Sequence, residues 1–138
     1  MTDQRLLLRS ATVTDPSDLA ALWAALMGDG GFDRRTLWLV LLDPGGHPAP
    51  VGVPIDDVPA EPGPRDVAGL GTLLAGVADL GTPVLLLSRP GPPEVQDGDR
   101  RWAAALGPLA PAWPVHLATP DPDGRARPCQ VRALGTPP

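Results

Sequence analysis

The sequence predicts an α/β (α+β) domain: a mixed sheet with an antiparallel hairpin, a βαβ crossover and helices covering the sheet. Three observations carry this. Thr36–Leu42 and Val84–Leu87 are unbroken apolar runs, the pattern of strands covered on both faces. Asp43-Pro44-Gly45-Gly46 is a strong turn between the first run and an alternating Val51, Val53, Ile55, so those two strands pair antiparallel. Three further segments carry apolar residues at helical spacing.

The elements follow in order. Met1–Thr14 reads as a lead-in, with a brief strand at Leu6–Leu8. Asp15-Pro16-Ser17-Asp18 is a helix start: Asp15 accepts from free N–H groups, Pro16 suits the first helical position, and Asp18 favours the positive end. Leu19, Leu22, Trp23 and Leu26 then share one face, Trp23 as a core residue, and Gly28 ends the helix. The glycine loop Asp29–Asp33 is not a phosphate loop, since no Lys-Ser/Thr follows. After the Thr36–Leu42 strand and its turn, the return strand spans Ala49–Ile55, with Pro48, Pro50 and Pro54 marking a broken or edge strand.

Arg65–Leu80 reads as the second helix, with Val67, Leu70, Leu73, Leu74 and Val77 as its apolar stripe. Gly69, Gly71 and Gly76 weaken it by about 1 kcal/mol each, which close approach to a sheet would offset. Gly81 stops it. The Thr82–Ser88 strand then runs into Pro90-Gly91-Pro92-Pro93, where proline cannot continue a ladder. Asp97 or Asp99 caps a third helix over Gly98–Leu106, with Trp102, Ala105 and Leu106 inward. Val115–Thr119 is a further strand, and Asp123-Gly124 can turn a last hairpin toward Cys129–Leu134. Residues 1–14 are thus a lead-in, 15–134 a single domain and 135–138 a disordered tail.

Composition narrows the functional classes. The formal charge is −5 and all 11 basic residues are arginine, without a basic run, which argues against nucleic acid. No apolar stretch suits a signal peptide or a membrane span. A single cysteine, Cys129, fits a reducing cytoplasm. The bias toward Ala, Gly, Pro and Arg, without Lys, Asn or Tyr, suggests a high-GC bacterial genome. No Cys/His cluster has metal-ligand spacing, and neither a cofactor nor a metal is expected.

Ligands of open α/β sheets collect beyond the carboxyl ends of strands. Ser88 and Arg89 therefore head the candidate binding residues, against the plainer reading of a solvated strand end. Asp97 and Asp99 follow as possible partners of Arg89. Asp56 and Asp57 are paired carboxylates after a strand, which can serve acid/base or metal chemistry but more often only cap a turn. Trp113 is a candidate contact, because tryptophan anchors interfaces.

Three segments together resemble the JAB (JAMM, MPN) domain, in its RadC-like branch. TLWLVLLDPGGHPAPV looks like the first hairpin of that family. VLLLSRPGPPEVQDGDRRWAAAL looks like its metal-site strand, loop and helix, and WPVHLATPDPDGRARP like its following strand and turn. The resemblance spans Thr36 to Pro128 and rests on hydrophobic order with few identities. It implies a three-layer JAB/cytidine-deaminase-like architecture. It also implies a degenerate centre: the two histidine positions of that family's His-x-His-Pro fall on Leu87 and Arg89. Its aspartate falls near Arg100, with Asp99 one residue away and Asp97 three. Its general-base glutamate has no counterpart before Glu61, and His116 matches a structural histidine.

A hydrolytic zinc needs three protein ligands and an open water position, so the resemblance implies a catalytically inactive module that binds another protein. Arg89 would then pair with a partner's carboxylate or clamp its own loop through Asp97 or Asp99. One alternative is a small-ligand binder or metal-independent enzyme using Ser88 and Arg89, although no GxSxG elbow surrounds Ser88. A second is self-association as a homodimer through the Val51–Ile55 edge.

Overall fold

The two apolar runs pair with each other at the centre of the sheet. In the computed structural model, which describes residues 11–27, 32–49, 52–120 and 129–134, β1 is Thr36–Leu42 and β3 is Thr82–Ser88. They are antiparallel along their whole length, from Thr36 opposite Ser88 to Leu42 opposite Thr82. β2 (Val53–Asp56) lies outside β1, while β4 (His116–Pro120) and β5 (Cys129–Ala133) follow on the other side, in the order β2-β1-β3-β4-β5. β3 and β4 are parallel, joined by the crossover helix α3 (Asp97–Leu106). β2 against β1 and β5 against β4 are antiparallel. The mixed α/β fold is thus the one expected.

Strand alternation divides the core in two. Val40, Leu42, Val84, Leu86, Ala118 and Cys129 point to one face and pack against Leu19, Leu22, Trp23 and Met27 of α1 (Pro16–Met27). Leu37, Leu39, Leu85, Leu87 and Leu117 point to the other, against Leu70 and Leu74 of α2 (Pro64–Val77) and Trp102 and Leu106 of α3. One helix on one face and two on the other make three layers. None of these helices is long and apolar enough to cross a membrane.

Local chemistry explains the element ends. Asp15 Oδ1 accepts from the Asp18 N–H at 2.8 Å, and Asp18 Oδ2 accepts from Thr14 Oγ1 at 2.6 Å, so the start of α1 is closed from both sides. In the β1 turn, Asp43 Oδ1 accepts from the N–H groups of Gly45 and His47, both at 2.9 Å. Gly46 has φ +82°, and a β-carbon there would lie 2.1 Å from Val13 O. The end of the lead-in is therefore bound to the turn, with Val13 N donating to Gly46 O at 2.8 Å.

Several boundaries differ from expectation. The return strand is shorter than Ala49–Ile55: Pro48 forms an isolated bridge to Leu42, and regular pairing resumes only at Val53 opposite Leu39. Between those pairs the chain has two residues on β1, Val40 and Leu41, and four on the return, 49–52, so the regular ladder is interrupted between Pro48 and Val53. α2 ends at Val77 rather than Leu80, and Ala78–Leu80 form a looser turn, with Leu80 N bonded to Val77 O. Gly81 instead allows close approach, since a β-carbon there would meet Leu42 O at 2.9 Å. Gly69 and Gly76 do not approach the sheet: a β-carbon at either would meet nothing within 4 Å, and Gly71 touches only Leu109. α3 starts one residue early, with Gln96 as its N-cap. β4 begins at His116 rather than Val115. Leu6–Leu8, the glycine loop apart from Phe32 and Asp33, Val51, the Asp123-Gly124 turn and the tail at 135–138 lie outside the described residues.

These glycines make opposite predictions. Gly69→Ala and Gly76→Ala, in open helical positions, should each raise stability by about 0.5–1 kcal/mol. Gly46→Ala should lower it by about 1–3 kcal/mol through its left-handed backbone, and by more through the contact with Val13. Urea denaturation at constant slope reads both signs.

Candidate functional site

Ser88 and Arg89 are adjacent in sequence but point to opposite faces of the sheet. Ser88 lies on the α1 face and is fully buried. Its Oγ accepts from Trp38 Nε1 at 3.0 Å and donates to Thr36 O at 3.4 Å. With both interactions turned inward and no histidine bonded to it, the hydroxyl is placed as a core hydrogen-bonding group, not as a nucleophile.

Arg89 lies on the α2/α3 face, 1% exposed, opposite the 2% exposed Asp99 of α3. Arg89 Nε donates to Asp99 Oδ1 at 2.9 Å and Nη2 to Oδ2 at 2.7 Å, a bidentate fork. The remaining donors meet main-chain carbonyls: Nη1 reaches Pro90 O at 3.0 Å and Pro92 O at 2.9 Å, and Nη2 reaches Glu94 O at 3.0 Å. A guanidinium has five N–H donors, and each has an acceptor here. Asp99 Oδ2 also accepts from the Gln96 N–H at 2.8 Å, closing the first turn of α3. Burial pushes the Asp99 carboxyl up, but the Arg89 and Gln96 hydrogen bonds and the charges of Arg89 and Arg35 outweigh it. The carboxyl is held below its ordinary value of 3.8.

The other acidic candidates are exposed. Asp97 pairs with Arg100 at 2.9 Å and takes no part in the Arg89 cluster. Asp56 accepts from Thr36 Oγ1 at 3.1 Å on the α1 face. Asp57 has φ +59°, which an aspartate tolerates, and pairs with Arg34 at 3.4 Å. Such exposed pairs are worth little. The chain after them is fastened across α3: Trp102 Nε1 donates to Pro59 O at 2.9 Å, and Arg101 pairs with Glu61. A β-carbon on Gly98 would lie 2.4 Å from Ala60 O, so only glycine fits beneath that segment.

Trp113 sits at the other end of the sheet. It lines an open, mainly apolar groove of about 780 Å³ with Pro16, Ala104, Pro111, Val115 and Leu134. His116 lies nearby at the start of β4, buried, with Nδ1 3.2 Å from Pro114 O. Burial lowers its pKa below 6.5 against the raising effect of the Pro114 and Pro16 carbonyls.

The fold therefore brings Ser88, Arg89, Asp99, Asp97, Asp56 and Asp57 to one end of the sheet but distributes them over two faces and the surface. Only Arg89 and Asp99 meet. Among the described residues no group of three or more His, Cys, Asp or Glu side chains is placed to hold a metal ion. Leu87 belongs to the apolar core, and Arg89 holds its own loop. Sequence reasoning missed Arg35 and Thr119, which stand on the same face as Arg89, with the buried atoms Arg35 Nε and Thr119 Oγ1 lacking hydrogen-bond partners among the described residues. Their alternation with Leu37 and Leu117 was the available signal.

Two measurements test this account. Arg89→Met strands a buried carboxylate and should cost about 3–5 kcal/mol in urea denaturation, whereas Arg89→Met with Asp99→Leu should recover more than half of that loss. With pH, two windows of lost stability are expected. As pH falls from about 6.5, the unfolded chain protonates His116 while the fold resists, so stability declines toward the lower folded pKa. As pH falls below 3.8, the unfolded chain protonates Asp99 first, and that contribution is lost through the depressed folded pKa. His116→Gln should remove the upper window and leave the lower one.

Against known proteins, no family model matches the chain, and neither a curated protein nor a solved structure matches it.

Proposed function

We propose that this chain is a non-catalytic, JAB-like module that presents a rigid proline loop to another protein, with the Arg89–Asp99 pair standing where RadC-like proteins hold their metal. The observation that carries this reading is the saturation of Arg89. All five donors are bound inside the chain, so the arginine organises a loop and has none left for a substrate. What the loop offers outward is Pro90, Gly91, Pro92 and Glu94, all exposed. A loop fixed from beneath loses little conformational freedom on binding, which favours recognition. The element order, a hairpin and then a strand, proline loop and helix, supports the JAB-like reading. On this reading the protein works in the cytoplasm of a bacterium, without nucleic acid or cofactor.

Chemical cross-linking in source-cell lysate, read by mass spectrometry, tests the proposal. Wild type should capture one stoichiometric protein. Pro92→Ser with Glu94→Arg should lose it while keeping the wild-type urea midpoint, because Arg89 binds the backbone of this loop. Equal capture by both proteins, or purified wild type carrying zinc near one per chain with metalloprotease turnover, overturns it.

A further inference from the structure

Two polar atoms beside the Arg89–Asp99 pair are buried without a partner among the described residues, Arg35 Nε and Thr119 Oγ1. Thr119 is 0% exposed. The register sets both on one face. Thr36 lies opposite Ser88, and Ser88 lies beside Ala118. One residue further out, Arg35, Arg89 and Thr119 therefore stand side by side across three strands. They continue the face marked by Leu37, Leu87 and Leu117.

Among the described residues the charges on that face do not balance. Asp99 gives both oxygens to Arg89. Asp57 is held by Arg34, Asp97 by Arg100 and Glu61 by Arg101. Asp56 faces the opposite side with Thr36. Glu94 contributes only its carbonyl to the cluster. Arg35 is partly buried, and among the described residues no ion pair or side-chain hydrogen bond includes it. Its charge still lies close enough to Asp99 to help depress that carboxyl. A partly desolvated guanidinium whose neighbouring carboxylate is already committed to a second arginine is under-compensated, and an anion relieves that cost. The position is the carboxyl end of the parallel β3–β4 pair, where ligands of α/β sheets collect.

We propose that this strand end binds a small oxyanion, the carboxylate or phosphate group of a metabolite-sized ligand, with Arg35 as its counter-charge and the buried Thr119 hydroxyl, on the same face, as a neutral donor that the ligand must uncover. Arg89 takes no part, because its donors are committed. The site is independent of the loop surface proposed above: it uses neither Pro92 nor Glu94.

The test is a titration of the ¹⁵N-labelled full chain, followed at the arginine Nε–H resonances. Inorganic phosphate and acetate are added separately at constant ionic strength. The Arg35 Nε–H signal should shift to saturation with at least one of them, and the tighter one distinguishes a phosphoryl from a carboxylate ligand. Arg35→Gln should abolish saturation, and Arg35→Lys, which keeps the charge but not the fork, should weaken it. Thr119→Val should weaken it about tenfold, the worth of a hydrogen bond to a charged group. Arg34→Gln should leave it unchanged. Shifts that stay linear with both anions in wild type, or saturation that survives in Arg35→Gln, overturn the site. The wild-type titration and Arg35→Lys decide the matter even if Arg35→Gln fails to fold.

Discussion

A buried arginine must find acceptors for every N–H it takes out of water, and this end of the fold is built around that requirement. Arg89 leaves β3 on the α2/α3 face and draws together the strand end, the carbonyls of Pro90, Pro92 and Glu94, and the first turn of α3. Asp99 serves two elements at once, accepting from Arg89 and from the Gln96 N–H that begins the helix. The helix so placed gives Trp102 and Gly98 the positions against which Pro59 and Ala60 rest. One ion pair thus fixes a loop, a helix start and the segment lying over that helix. Desolvation makes such a pair a poor source of net stability. Its visible role is to join the strand end, the proline loop and the start of α3 in one arrangement.

Strand geometry explains why the candidate residues do not form a single pocket. Successive side chains point to opposite faces. Ser88 therefore joins Trp38 and Thr36 under α1, while Arg89 joins Asp99 under α3. Trp113, at the far end of β4, belongs to a separate apolar groove. Sequence proximity suggested a shared site, and the pleat divided it.

The parts of the fold legible in the sequence were those set by strong local chemistry. The runs at β1 and β3 needed two covered faces, and Asp15-Pro16-Ser17-Asp18 had the groups to close a helix end. The internal Arg89–Asp99 pair stood among the readings of the proline loop, although nothing local chose Asp99 over Asp97; the helix phase does, turning Asp99 inward and Asp97 to solvent. Less legible was anything that depends on neighbours. The glycines of α2 looked like contact points, yet Gly69 and Gly76 face open space. The interruption of pairing between Pro48 and Val53 depends on register against β1, which proline content could signal but not locate. Arg35 stood in alternation with Leu37, but what sets it apart, a buried Nε without a partner among the described residues, could be seen only in the fold.

The hydrogen bonds that order the proline loop end on main-chain oxygens. Arg89 reads the path of the backbone and not the identity of the residues along it. Except at Gly91, whose φ of +100° favours glycine, side chains at the loop surface are thereby released from duty to the fold, while the spacing from Arg89 to Asp99 is held fixed. Variation among descendants of such a sequence is then channelled into substitution at constant length. Insertions and deletions would break the count of carbonyls, so the loop can diversify in chemistry without changing in shape.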